Sequence, residues 1–398
     1  MMRIAYVCAD PGVPVFGRKG CSVHVQEVVR ALRARGVDVE IFAARVGGQP
    51  PHDLSDVRVR ELAAVPRVTP EEHRRCVARA NASLFAALEE ENSFNMVYER
   101  YSLWSFAAMD YAREHDIPCL LEVNAPLIEE EEKHRGLVDR PFAEWVAQKV
   151  FGTASALLAV SSEVGEYLEG FPGVAGRVRV VPNGVNPARF SPTLKATLPA
   201  PTGVFTVGFV GTLKPWHGLP TLAEAFAMLH ERNDKTRLLI VGDGPERQAL
   251  EAALDASDCL EATCIIGAVD PEDVPGLLAS MDVAVAPYSD ASDFYFSPLK
   301  VYEYMAAGLP VVASRVGQLD GLIENDVSGI LCPPGDTVAL CEALDRLRCD
   351  PALRMRLGHT GRERVLRDHT WASVADTIID LSRRMPQSQM YQAAVGWL

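Results

Sequence analysis

FYFSPLKVYEYMAAGLPVVAS, residues 294–314, packs a loop, a helix and a strand into one short stretch, and its reading decides the fold. Ser297 and Pro298 suit a helix entry, because Ser supplies a capping oxygen and Pro lacks an amide that the first turn would leave unpaired. Leu299, Tyr302 and Met305 follow at helical spacing, Gly308 and Pro310 stop the helix, and VVAS reads as a buried strand. The junction aims unpaired amides and a partial positive charge at the residues before Ser297, with Lys300 in the first turn and Glu303 one turn on. That is an anion site with a carboxylate beside it. The same residues also fit a capped core helix with solvated Lys300 and Glu303.

Outward from this stretch, strand, glycine loop and helix recur. RIAYVCAD is a strand, PGVPVFGRKG a loop and CSVHVQEVVRALRARG a helix with Val25, Val28, Val29 and Leu32 on one face. Strands also read at FNMVYERY, IPCLLEVNAP and AVSSEV, and helices at residues 70–91, SLWSFAAMDYAREHD and VAQKVFGTASALL. Strand ends gather the site of an α/β sheet, which draws attention to Glu99, Arg100, Glu122 and Asn124. The first loop carries Gly12, Gly17 and Gly20, not GxGxxG, so the dinucleotide fingerprint is missing and a nicotinamide enzyme is disfavoured. Residues 191–203, SPTLKATLPAPTG, read as a linker. Beyond it VFTVGFVG, TLKPWHG and LPTLAEAFAML repeat the plan, and RLLIVGDGPERQALEAAL repeats it again. The expectation is α/β, two Rossmann-like doubly wound domains facing a cleft: residues 1–190, then 204–385, with 386–398 a separate apolar segment.

Composition agrees. A chain of 398 residues exceeds what one hydrophobic core usually supports. Its nine cysteines form no CxxC pair and have no His at ligand spacing, so reduced thiols are expected and no metal site is legible. Apolar runs fall short of about 18 residues and the N-terminus reads as a strand, so a cytoplasmic protein is expected, with membrane contact at most peripheral. A net charge of −14 argues against nucleic acid as a partner.

Taken together, GxxxHV, PNGV, FVGxLxxxxG, VGDGP, a strand ending in PY, KVYEYMAAGLPVVAS and SGILCPPGD resemble, in order and spacing, the glycosyltransferases of the GT-B fold, specifically retaining family 4. The resemblance covers nearly the whole chain. It implies a second domain that holds a nucleotide-sugar, a first that holds a hydroxyl acceptor, residues 386–398 packing back on that first domain, and transfer with retention and without an obligatory metal or other cofactor. Glu303 is similar to the second acid of the family's paired-glutamate motif, which holds the ribose hydroxyls; a carboxylate accepts two bonds from vicinal hydroxyls. Ser297, Pro298, Leu299 and Lys300 then lie at the diphosphate or sugar, with Gly211, Thr212, Lys214, His217 and Gly242 in the neighbouring loops. Gly20 resembles the first-domain glycine that admits the diphosphate, and His24 follows it at the family's spacing. Glu99, Arg100 and Glu122 fall on the acceptor side. The family's commonest donor base makes UDP the expected one, and the acceptor is open among glycan, lipid-linked sugar and small molecule.

Four positions depart from the pattern. Tyr295 stands where the first paired acid belongs, Thr212 and His217 replace an Arg and a Lys, and Asn124 replaces a His at a first-domain strand end. Lys214 and Lys300 are the candidate replacement cations for the leaving diphosphate, since stabilising developing charge is commonly the largest catalytic contribution. Front-face transfer is the expected mechanism, with closure of the domains excluding water. A nucleotide-sugar epimerase or phosphorylase of the same fold and a non-catalytic sugar-nucleotide-binding protein are the alternatives.

Overall fold

A computed structural model describes residues 1–66, 68–91, 93–289, 294–295 and 297–384. It divides into two compact units. The first is built on Met1–Pro182, with Tyr295, Ser297 and the helix Trp371–Arg384; the second holds the described residues of Asn183–Phe294 and Pro298–Thr370.

In the first unit the order is β1 (Arg3–Cys8), α1 (Gly20–Arg33), β2 (Asp38–Ala43), β3 (Arg58–Glu61), α2 (Pro70–Glu91), β4 (Met96–Arg100), α3 (Ala107–Glu114), β5 (Cys119–Val123), α4 (Leu127–His134), α5 (Arg140–Thr153), β6 (Ala156–Ala159), α6 (Ser162–Glu169) and β7 (Val178–Val180). The strands form one parallel sheet, β3-β2-β1-β4-β5-β6-β7. Strand order reverses between β1 and β4, the point at which open α/β sheets bind ligands. On one face Val7, Val97, Leu121 and Leu157 pack among Leu84, Met109, Val146 and Val164 from the helices.

The second unit runs β8 (Phe205–Val210), α7 (Leu219–Arg232), β9 (Thr236–Val241), α8 (Arg247–Ala256), β10 (Thr263–Gly267), α9 (Val274–Leu278), β11 (Val283–Ala286), α10 (Leu299–Ala306), β12 (Val311–Ser314), α11 (Leu319–Leu322), β13 (Ile330–Cys332), α12 (Thr337–Cys349) and α13 (Pro351–Asp368). Its parallel sheet is β10-β9-β8-β11-β12-β13, with the reversal between β8 and β11. Val207, Phe209, Leu238, Ile240 and Val285 pack against Leu222, Phe226, Leu340 and Leu344. Both sheets are those of a Rossmann-like α/β domain.

The last described helix, α14 (Trp371–Arg384), belongs to the first unit, where it packs on α1 and Arg35 makes a bidentate pair with Asp376 at 2.6 Å. The expectation placed this segment in the second domain; α14's amphipathic pattern marks it as a helix with one buried face and cannot say which core takes that face. Residues 191–203 carry no helix or strand, as a linker should, yet are tied to the second unit through Thr197 and Leu198, whose amides reach Gly276 O and Ser280 Oγ. The 386–398 segment lies outside the described residues.

Some local expectations need correction. AVSSEV is the end of β6 and the start of α6, because Ser161 caps the helix by accepting from Val164 N at 3.1 Å. SLWSF precedes α3, whose entry is fixed from a distance: Asn81 Oδ1 accepts from the amides of Phe106 and Ala107. At the opening stretch the N-cap position is Pro298, without a side-chain cap, and Leu299 is the first helical residue. No described helix is long and apolar enough to cross a membrane.

Candidate active site

In the second unit the site forms where β8 and β11 part. β8 runs into Gly211 and Thr212, and a short 3-10 turn, Pro215–His217, leads to Gly218 and α7. The backbones here approach so closely that glycine is required. A Cβ on Gly242 (φ +146°) would stand 1.9 Å from Gly211 O, and one on Gly218 (φ +64°) 1.5 Å from Pro287 O.

Lys300 reaches into this junction from the first turn of α10. A Cβ on Gly211 would meet its Nζ at 3.3 Å. The residue is half-buried, but its Nζ is closed to solvent and has no hydrogen-bond partner among the described residues. It lies 4.2 Å from the ring centre of Phe209 and 5.1 Å from that of Tyr288. Burial pushes its ammonium down to about 7. His217 packs beside the same two rings and its Nδ1–H donates to Thr212 O at 2.6 Å, which fixes the tautomer. Burial, then the Lys300 charge, pushes His217 down to about 3, so it is neutral at physiological pH. Lys214 lies over the Trp216 ring at 5.5 Å, one side of the same turn. Thr212, His217, Lys300, Gly211 and Gly242 are therefore brought together; Glu303 sits half-buried further along α10. Ser297 and Tyr295 are grouped with the first unit, where the Tyr295 hydroxyl donates to Glu130 Oε2 at 2.9 Å.

The first unit has a buried polar cluster on the sheet face that carries α1 and α14. Glu122 Oε2 lies 2.9 Å from His24 Nε2 and accepts from the Tyr98 hydroxyl, while its Oε1 accepts from Arg100 at 2.9 Å. Burial alone would raise the Glu122 carboxyl, but His24, Arg100 and Tyr98 outweigh it and hold it at about 2. Trp371 of α14 meets the His24 ring edge at 5.0 Å. Glu99 does not join them. Side chains alternate along β4, so Glu99 faces the opposite core, bonded to the Ser105 hydroxyl, and burial raises its carboxyl to about 7. Asn124, just beyond β5, has an Oδ1 that is buried with no partner among the described residues. Gly20 is the exposed first residue of α1, whose N-cap, Lys19, makes no side-chain cap.

Sequence reasoning missed Phe209, Tyr288 and Trp371. For Tyr288 the PY strand end was the signal; Phe209 looks like any core aromatic, and only the tertiary fold shows what its face touches.

Two parallel sheets, each with a strand-order reversal, and at one of them a buried lysine Nζ without a partner among the described residues, define a nucleotide-binding α/β class of protein. Residues 18–189 match the family described as Glycosyltransferase Family 4, and residues 204–350 the one described as Glycosyl transferases group 1. The chain belongs to these group 1, family 4 retaining glycosyltransferases, enzymes of the GT-B fold that transfer sugar from a nucleotide-sugar. It is 27% identical over 399 residues to a glycogen synthase of Mycobacterium tuberculosis, across 94% of this chain and 92% of that protein. Its fold is similar to that of sucrose-phosphate synthase from Thermosynechococcus elongatus (TM-score 0.74, 22% identity, 96% of this chain and 98% of that one). It is also similar to Anabaena HepE in complex with UDP and glucose (TM-score 0.71, 16% identity, 97% and 100%).

Proposed function

We propose that this enzyme takes a UDP-sugar at the β8–β11 junction of the second unit and transfers the hexosyl group, with retention, to a hydroxyl of an acceptor held by the first unit. The observation that carries the reading is the Nζ of Lys300, buried without a partner beside the bare backbone of Gly211. A buried amine can carry its charge there only when an anion completes it, and a diphosphate is the anion that a nucleotide-sugar supplies. HepE, solved with UDP and glucose and also with UDP-glucose, supports UDP as the nucleotide.

In this reading the amides at the start of α10 and Lys300 neutralise the diphosphate as it leaves, and Lys214 adds a second cation from the 3-10 turn. Neutral His217 contributes a hydrogen bond, not charge, and Glu303 accepts from the ribose hydroxyls. No side chain is asked to act as a nucleophile: the acceptor hydroxyl attacks from the face the diphosphate leaves, and the departing phosphate oxygen takes its proton. The unpaired Oδ1 of Asn124 accepts a hydrogen bond from a sugar or acceptor hydroxyl. His24, Arg100 and Glu122 position the loop ends of the first unit from below. The acceptor class is glycan, lipid-linked sugar or small polyol.

The test is incubation of UDP-glucose with a panel of such acceptors, following UDP release and the anomeric proton of the product by NMR. Acceptor-dependent UDP release with an α-linked product supports the reading; conversion of the donor without acceptor would point to an epimerase instead.

A further inference from the structure

We propose that Lys300 is a proton-coupled anion receptor: its buried amine is uncharged in the empty site and takes up one proton from solvent as a nucleoside diphosphate binds. This rests on the donor-site reading above and adds to it a linkage between donor binding and pH.

The geometry carries the inference. Lys300 Nζ is closed to solvent and without a hydrogen-bond partner among the described residues. Among the described residues its neighbours offer no anion to hold a charge. From the segment after β8 come His217, kept neutral, and Lys214, which is itself cationic; from the end of β11 comes the Tyr288 phenol, which burial pushes far up and keeps un-ionised. On α10 itself, Tyr304 is spent on the backbone of Val210, and Glu303 is half-buried one turn further along the helix. His369, after α13, packs on Tyr302 of the same helix. The rings of Phe209 and Tyr288 favour a cation, but by less than burying an unpaired ion costs. The neutral amine is the outcome of that comparison near and above neutrality, in keeping with an ammonium pushed down to about 7.

A diphosphate reverses the comparison. Its negative oxygens, placed at the bare Gly211 backbone, stand next to Nζ and form the charge-assisted bonds that only the ammonium can make. The step balances simply: the amine gains one proton, the buffer loses one, and no other bond changes. An Arg in the same place cannot behave this way, since a guanidinium stays protonated throughout. Of two ligands that differ in anionic charge, the more charged one gains more from this site as pH falls.

The experiment is isothermal titration of the full chain with UDP near pH 8, about two units above the last ionisation of a phosphate monoester, in phosphate and in Tris buffer. The dependence of the observed heat on buffer ionisation enthalpy counts protons. The wild type should take up more than about half a proton per UDP near pH 8, and little near pH 6 where the free amine is already charged. Lys300→Arg should bind UDP with no uptake. UDP binding without uptake near pH 8, or uptake that survives in Lys300→Arg, overturns the proposal while leaving the donor site standing. Failure of the wild type to bind UDP, GDP, ADP or TDP overturns the donor-site reading itself. If Lys300→Arg does not fold, the wild-type pH profile decides alone: uptake that peaks near pH 6 and vanishes near pH 8 belongs to another group and contradicts the assignment.

Discussion

His24 Nε2 and Glu122 Oε2 stand 2.9 Å apart inside the first unit, and this contact ties helix α1 to strand β5 beneath the strand ends. Arg100 completes the pair on the other carboxylate oxygen and Tyr98 bonds the first. Glu122→Gln removes the charge that the Arg100 guanidinium needs, and a buried ion left unpaired costs roughly 3–5 kcal/mol. Urea unfolding should show a loss of that order.

The same carboxylate sets an acid limit. Its folded value, about 2, lies below the ordinary carboxylate range. Glu122 therefore stabilises the fold fully above its unfolded value, near ~4.3, and that contribution is lost as pH falls from there through about 2. Thermal unfolding followed at decreasing pH should show the loss in the wild type, and a shallower slope in Glu122→Gln.

Glu99 has the opposite sign. Its folded value is raised to about 7, so the folded state holds the proton more tightly than the unfolded one, and stability falls as pH rises from the ordinary carboxylate range through about 7. Glu99→Gln mimics the protonated form and keeps the Ser105 hydrogen bond. Melting temperatures should match the wild type near pH 5 and exceed it near pH 8, by the equivalent of about 1 kcal/mol or more.

Close backbone approach can be separated from conformational strain alone. Gly242→Ala sets a Cβ 1.9 Å from Gly211 O, whereas Gly136→Ala (φ +76°) meets nothing within 4 Å. The second should cost only about 1 kcal/mol, the first more than about 4 kcal/mol, with UDP binding lost together with the fold of the β8 loop. Equal costs in chemical denaturation would contradict the packing described.

How legible was this in the sequence? The double α/β plan was, because period-two strands, glycine loops and 3.6-period helices repeat in order, and residues 294–314 read as a loop, then α10 with its stop at Gly308, then β12. Gly211, Thr212, His217, Gly242 and Lys300, expected at the donor, lie close together, since loops at one reversal point converge. Faces were not legible. Glu99, Arg100 and Glu122 were grouped because all end strands, yet alternation turns Glu99 to the other core. Nor could a pattern of apolar residues say that α14 packs on α1, because amphipathicity specifies a buried face without naming its partner.

Asn124 offers a test of acceptor geometry. Its unpaired Oδ1 should serve the reacting sugars, so Asn124→Ala should lower kcat by about 10–100-fold while UDP affinity changes less than about twofold. Unchanged kcat would remove it from the reaction.

The most direct measurement of the central claim is the thermal shift that UDP produces in the wild type and in Lys300→Met, each read against its own ligand-free melting temperature. At a hundred times its dissociation constant UDP should stabilise the wild type by about 2.7 kcal/mol, and at that same concentration the shift should be largely lost in Lys300→Met, whose ligand-free form should melt higher because a buried, unpaired amine is gone. A UDP shift of equal size in both proteins would contradict the assignment of Lys300 to the donor diphosphate.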